Sequence, residues 1–117
     1  MPYIDGMLAA VRNDDKAKFI KYARITAQVF KKHGALAVVE NWGENVPDGT
    51  LTSMPMAVKC GPDETVVFSW IVWPDRKTHE AGWEKVMADP IMQMDKNPMP
   101  FDGKRMIYGQ FETVIDA

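Results

Sequence analysis

The sequence predicts an α+β domain of ferredoxin-like order, β-α-β-β-α-β, with a four-stranded antiparallel sheet and two helices on one face. Three observations lead there. Residues 3–11, 35–43, 65–73 and 105–115 carry the alternating or continuous apolar pattern of strands. Residues 14–33 and 76–88 repeat apolar side chains at helical spacing, and each run begins beside a capping aspartate. The stretch 44–64 has neither pattern and separates the two halves.

The first strand, "YIDGMLAAV", ends at "RNDD", where Asn13 or Asp14 can cap the first helix. Phe19, Ile20, Ala23, Ala27 and Phe30 form that helix's apolar stripe. Lys31, Lys32 and His33 lie in its last turn, where positive charge suits the helix dipole, and Gly34 is the expected left-handed stop. "ALAVVENWG" is the second strand. In 44–64, "VPDG" and "CGPDE" read as turns, and "LTSMPMAVKC" between them holds a short strand or a helical turn. "TVVFSWIVW" is apolar on both parities, as in a strand covered on both faces. Asp75 caps the second helix, whose stripe is Trp83, Val86 and Met87, with Gly82 as its weak point. "ADP" predicts a further helical turn through Met94, and "RMIYGQFETV" is the last strand.

The 117 residues fit one domain, 1–117, and 46% hydrophobic with 26% charged content is ordinary for a globular chain. No apolar run is long enough to span a membrane, and "MPYIDGMLAAVRNDD" lacks the basic start of a signal peptide. Net charge is −2 and the lysines are scattered, which disfavours nucleic acid as a partner. A single cysteine, Cys60, suits a reducing cytoplasm and reads as a small residue beside a turn. There is no nucleotide fingerprint and no His/Cys cluster at zinc spacing, so neither cofactor nor metal is expected. His79 reads as an exposed helix histidine, and the tryptophans and methionines as core packing.

Alternation divides the strand residues into two sets. One set, Ile4, Leu8, Val39, Ile107 and Phe111, is assigned to the helix side. The other, Tyr3, Asp5, Met7, Leu36, Val38, Glu40, Trp42, Met106, Tyr108, Gln110 and Glu112, is assigned to the bare side. For 65–73 parity leaves open whether Phe68 and Trp70, or Val67, Ser69 and Ile71, point outward. Three exposed aromatics at roughly 150 Å² each approach the largest apolar patch a monomer shows, so a second copy is expected to cover that face. In such a homodimer Asp5 and Glu40 become candidate acid/base groups in a cavity between sheet and partner. Tyr3, Trp42, Tyr108 and Gln110 become candidate ligand-binding residues there. A carboxylate enclosed in this way should have a raised pKa.

"GALAVVENWGENVPDG", "TVVFSWIVWPDR", "MADPIMQ" and "MPFDGKRMIYGQFE" resemble the YbaA-like bacterial family, over nearly the whole chain. The resemblance implies pairing as a dimeric α+β barrel. That family is a domain of unknown function, so the resemblance assigns no catalytic residue. The wider superfamily holds cofactor-independent monooxygenases, lactone isomerases and haem proteins, which is analogy of fold alone. The expectation is a small cytoplasmic protein binding or transforming a small molecule, by isomerase-type or cofactor-independent chemistry. The alternatives are a non-catalytic dimeric interaction protein and, disfavoured by charge, an RNA binder.

Overall fold

Four antiparallel strands pair in the order β2-β3-β1-β4 in the computed structural model, which describes residues 1–93 and 95–117. The strands are β1 (Tyr3–Arg12), β2 (Ala37–Trp42), β3 (Glu64–Trp73) and β4 (Ile107–Glu112). The helices are α1 (Lys16–Lys32), a one-turn α2 (Met54–Ala57) and α3 (Arg76–Ala88). This is the expected order, with β1 and β3 central, paired from Tyr3↔Trp73 to Arg12↔Glu64.

Local chemistry sets most boundaries. The Asp75 side chain accepts from Thr78 N–H at 2.7 Å and starts α3. Asp89 accepts from Ile91 N–H at 3.0 Å and starts a 3-10 turn, Pro90–Met92; Met94, the expected end of that turn, lies outside the described residues. Gly34 has φ +114°, the left-handed stop after α1. "LTSMPMAVKC" folds as a helical turn, with Ser53 capping Met56 N–H at 3.1 Å. The start of α1 differs from expectation. Asn13–Asp15 forms a 3-10 turn without a side-chain cap, and Asn13 instead accepts from the Thr65 hydroxyl.

The two parity sets hold together, but on the opposite faces from those expected. Asp5, Ala9 and Val11 of β1 are buried against the helices, with Val67, Ser69, Ile71 and Trp73 of β3. Phe19, Ala23 and Phe30 of α1 and Val86 of α3 meet them. Directly paired residues share a face. Glu40↔Ser69 and Met7↔Tyr108 therefore put the Tyr3-to-Glu112 set on the helix side. Ile4↔Phe111, Leu8↔Ile107 and Val39↔Trp70 put the other set on the bare side. Phe68 and Trp70 point outward, and on that face β3 is covered only at its start, where buried Val66 packs with Ala10 and Val58. The physical reason lies at the far end of β1, where small Ala9 and Val11 fit beneath α1 while exposed Arg12 belongs to the other parity.

Three helix residues also differ from expectation, the first being Ile20 of α1, which is 41% exposed while Val29 is buried in its stead. His79 is only 3% exposed, while Met87 is 68% exposed, so the buried stripe of α3 is His79, Gly82 and Val86. Gly82 is a close-approach point and not a weakness. A Cβ there would lie 2.2 Å from the Trp73 ring and 2.7 Å from the His33 carbonyl oxygen.

Candidate functional site

The helix side carries two polar centres. The first is Asp5, buried in mid-sheet. One carboxylate oxygen accepts from the indole N–H groups of Trp73 and Trp83, both at 2.8 Å. The other lies 2.9 Å from His79 Nε2. Tyr3 stands edge-on to the His79 ring, at 4.8 Å between centroids. Buried carboxylates persist when their lone pairs are filled, and three donors do so here. The arrangement is an anchor: it fixes two indoles and the first turns of α3 to β1.

The second centre is Glu40, on the edge strand β2. Ser69 O–H, directly opposite on β3, donates to one of its oxygens. Glu40 opens into an enclosed cavity of about 390 Å³ between sheet and helices. Phe19, Tyr22, Thr26 and Phe30 of α1 line one wall, at spacings of three and four that keep them on one stripe. Trp83 and Val86 of α3 form another wall, so Asp5, by holding the Trp83 indole, also holds part of the cavity. The segment before β4 closes the space with Asn97, Met99, Phe101 and Met106. That segment is pinned at both ends. Asn97 donates to Thr26 Oγ1 at 3.0 Å. Arg105 grips Glu64 with two bonds of 2.8 Å and donates to the Lys59 carbonyl at 2.9 Å.

Charge in the cavity is sparse. Among the described lining residues Glu40 is the one carboxylic acid, and none is a lysine or arginine. Burial pushes the Glu40 carboxyl above its ordinary range, and the Ser69 hydrogen bond opposes part of that rise. Burial likewise raises the Tyr22 phenol, its Thr26 hydrogen bond opposes, and the Glu40 charge adds to the rise. Outside the cavity, the Arg105 hydrogen bonds hold Glu64 down to about 2. Burial raises the Cys60 thiol, with nearby Glu64 adding to it, which makes a poor nucleophile. Among the described residues no group of three His, Cys, Asp or Glu side chains could hold a metal ion. No helix among them is long and apolar enough to cross a membrane.

The six residues singled out from sequence do not form one site. Tyr3, Asp5 and Gln110 are neighbours, with Tyr3 O–H donating to Gln110 at 3.2 Å and Asp5 paired with Gln110 across the ladder. Glu40 and Trp42 lie together on β2, with Trp42 6.0 Å from Phe19 between ring centroids. Tyr108 is 75% exposed on the edge strand β4. Asp5 and Glu40 sit on strands flanking β3, opposite Ile71 and Ser69 respectively. Two strand spacings across and two residues along place their Cα atoms about 12 Å apart. The enclosed cavity lies on the helix side, not between the sheet and a second copy, because the faces are exchanged. Sequence reasoning missed Ser69, Tyr22, Thr26 and Asn97. The first three were within reach: Tyr22 and Thr26 share the Phe19–Phe30 stripe, and Ser69 is the one polar side chain among the apolar residues 66–73 of β3.

The other face of the sheet is apolar. A shallow depression of about 490 Å³ is lined by Ile4, Leu8, Phe68, Trp70, Ile107 and Phe111, among others. Phe68, Ile107 and Phe111 are between 42% and 57% exposed.

The chain belongs to the family described as protein of unknown function DUF1428, whose model matches residues 2–103. It is 48% identical over 116 residues to the uncharacterized protein YbaA of Escherichia coli K12, covering 99% of each chain. The same identity and coverage hold for YbaA of Shigella flexneri. Among solved structures it is similar to a dimeric ferredoxin-like protein from an uncultured marine organism. There the TM-score is 0.57 at 18% identity, with all of both chains covered, which establishes the fold alone.

Proposed function

We propose that this DUF1428 protein is a homodimer in which each subunit binds a small, largely apolar molecule in its own Glu40 cavity. The observation that carries the binding half is the enclosed space itself: about 390 Å³, walled by aromatic and methionine side chains, with one carboxyl and its hydroxyl partner on one side. A mostly apolar cavity with a few convergent polar groups is the usual form of a small-molecule site. The polar groups match a neutral carbonyl or hydroxyl oxygen. Protonated Glu40 donates to it, and ionised Glu40 accepts from it. A carboxyl whose pKa burial raises suits proton transfer beside a carbonyl, and an isomerisation is the reaction type this equipment favours.

The dimer half rests on the apolar face of Ile4, Leu8, Phe68, Trp70, Ile107 and Phe111. A four-stranded face is close in size to the roughly 800 Å² per partner of a standard interface. Likeness to a dimeric ferredoxin-like protein supports the same arrangement. Phe68→Asp puts a charge at its centre and should give a monomer by sedimentation equilibrium. A wild-type monomer at micromolar concentration would refute the pairing.

Binding is tested by a thermal-shift screen of neutral aromatic and aliphatic carbonyl compounds. A ligand of the native state raises the midpoint. Val38 lines the cavity beside Glu40, and Val38→Trp fills it. Midpoint rises in the wild type that vanish in Val38→Trp support the reading. Equal rises in both proteins, or none in the wild type, would overturn it.

A further inference from the structure

A second hollow, about 350 Å³, runs along the outside between α1 and the edge strand β2. It shares Phe19, Val38 and Glu40 with the enclosed cavity, so the two adjoin at these residues. Lys16 and Arg24 line the outer hollow, and the enclosed cavity has no cation among its described lining residues. Both cations belong to the α1 stripe that faces β2, two turns apart and level with Phe19 and Ala23. Lys16 is held over the Trp42 ring, its ammonium 5.1 Å from the centroid. Trp42 also packs on Phe19, so a single ring joins the cation to the cavity wall.

We propose that this α1–β2 groove is the mouth of the cavity, and that the ligand is an amphipathic monoanion, an aryl or acyl carboxylate or sulfonate. Its apolar body lies inward past Glu40, and its charged end stays in the groove between Lys16 and Arg24. This deepens the binding reading above and rests on it. The sorting follows from desolvation. An anion inside the cavity would lose its hydration with no cation to replace it, whereas one in the groove remains in water beside two. Solvent-exposed ion pairs are weak, so each cation should contribute about threefold in affinity and the two together about tenfold.

The test uses two dyes with the same rings, 1-anilinonaphthalene-8-sulfonate and the uncharged N-phenyl-1-naphthylamine, titrated by fluorescence. They are compared in the wild type, in the double variant Lys16→Gln/Arg24→Gln and in Val38→Trp. The double variant should bind the sulfonate about tenfold more weakly and the uncharged dye within about twofold of wild type. Val38→Trp should lose both. Should that variant fail to fold, Val38→Phe, a smaller side chain in the same wall, takes its place. If the double variant binds both dyes as the wild type does, while the filled variant loses both, the anionic mouth is wrong and the cavity reading stands. If the filled variant binds both dyes unchanged, the cavity reading fails and the mouth with it.

Discussion

Asp5→Ala should be the most damaging single truncation at the sheet centre. The carboxylate is 5% exposed and receives N–H groups from Trp73, Trp83 and His79 at 2.8, 2.8 and 2.9 Å. Truncation leaves those donors without a partner. Each buried orphan costs about 1–3 kcal/mol, so simple addition gives about 3–9 kcal/mol. Trp83 is half-buried and water can reach part of the space left, which places the expected loss at the lower end, about 3–5 kcal/mol. Asp5→Asn separates charge from bonding. Both indoles donate to the same oxygen, so an asparagine carbonyl turned towards them keeps both. Its amide then faces His79 Nε2, which can accept once the imidazole proton moves to Nδ1. The loss for Asn should be about 1–2 kcal/mol. Urea unfolding followed by far-ultraviolet circular dichroism measures both, since tryptophan fluorescence is itself altered at Trp73 and Trp83. An Asp5→Ala protein within about 1 kcal/mol of wild type would refute the anchor.

Three further outcomes follow from named contacts. Gly82→Ala gains about 1 kcal/mol of helix propensity but drives a methyl into the Trp73 ring, and should lose about 2 kcal/mol or more on balance in urea unfolding; a stabilised variant would contradict the close approach. Glu64 has its pKa lowered from 4.5 to about 2 by Arg105, so its contribution, about 3 kcal/mol at most, is present above pH 4.5 and is lost as pH falls towards 2; Arg105→Met should flatten that acid limb of the stability profile. Glu40 shifts the other way: its contribution is present below its unfolded pKa and is lost as pH rises through the raised folded value. Glu40→Gln should therefore match wild type near about pH 4 and exceed it in thermal midpoint at about pH 7, and the reverse slope would contradict a buried carboxyl there.

The order of elements was legible because it depends on signals within a few residues. Asp75, Asp89 and Gly34 each act where the sequence places them, since a cap or a left-handed stop needs only its own turn. The facing of the sheet was not legible from the same kind of signal. In β1 both Tyr3–Asp5–Met7 and Ile4–Leu8 can be buried, and what decides between them is the meeting of Ala9 and Val11 with α1. That contact is non-local. Once the faces exchange, Asp5 moves from an imagined dimer cavity into the core, and His79 moves from water to its side. Glu40 kept the predicted character of an enclosed carboxyl with a raised pKa, although its enclosure comes from α1 and the 97–106 segment. That segment has no strand or helix pattern of its own over the cavity. Its place depends on Asn97 reaching Thr26 and Arg105 reaching Glu64 across the fold.

Methionine methyl groups offer the most direct view of the cavity. Half-buried Met7, Met92, Met99 and Met106 line it, with exposed Met87 at its edge, while Met1, Met54 and Met56 are exposed and lie outside it. The protein labelled with ¹³C-methyl methionine would be titrated with 4-ethylphenol, a neutral ring with one hydroxyl, and followed by proton–carbon correlation spectra. If each subunit binds such a molecule beside Glu40, the four lining methyls shift along saturable curves with one common midpoint, and Met1, Met54 and Met56 stay in place. Saturable shifts confined to Met1, Met54 and Met56, or no saturable shift at the four half-buried lining methyls, would contradict a binding cavity between the sheet and its helices.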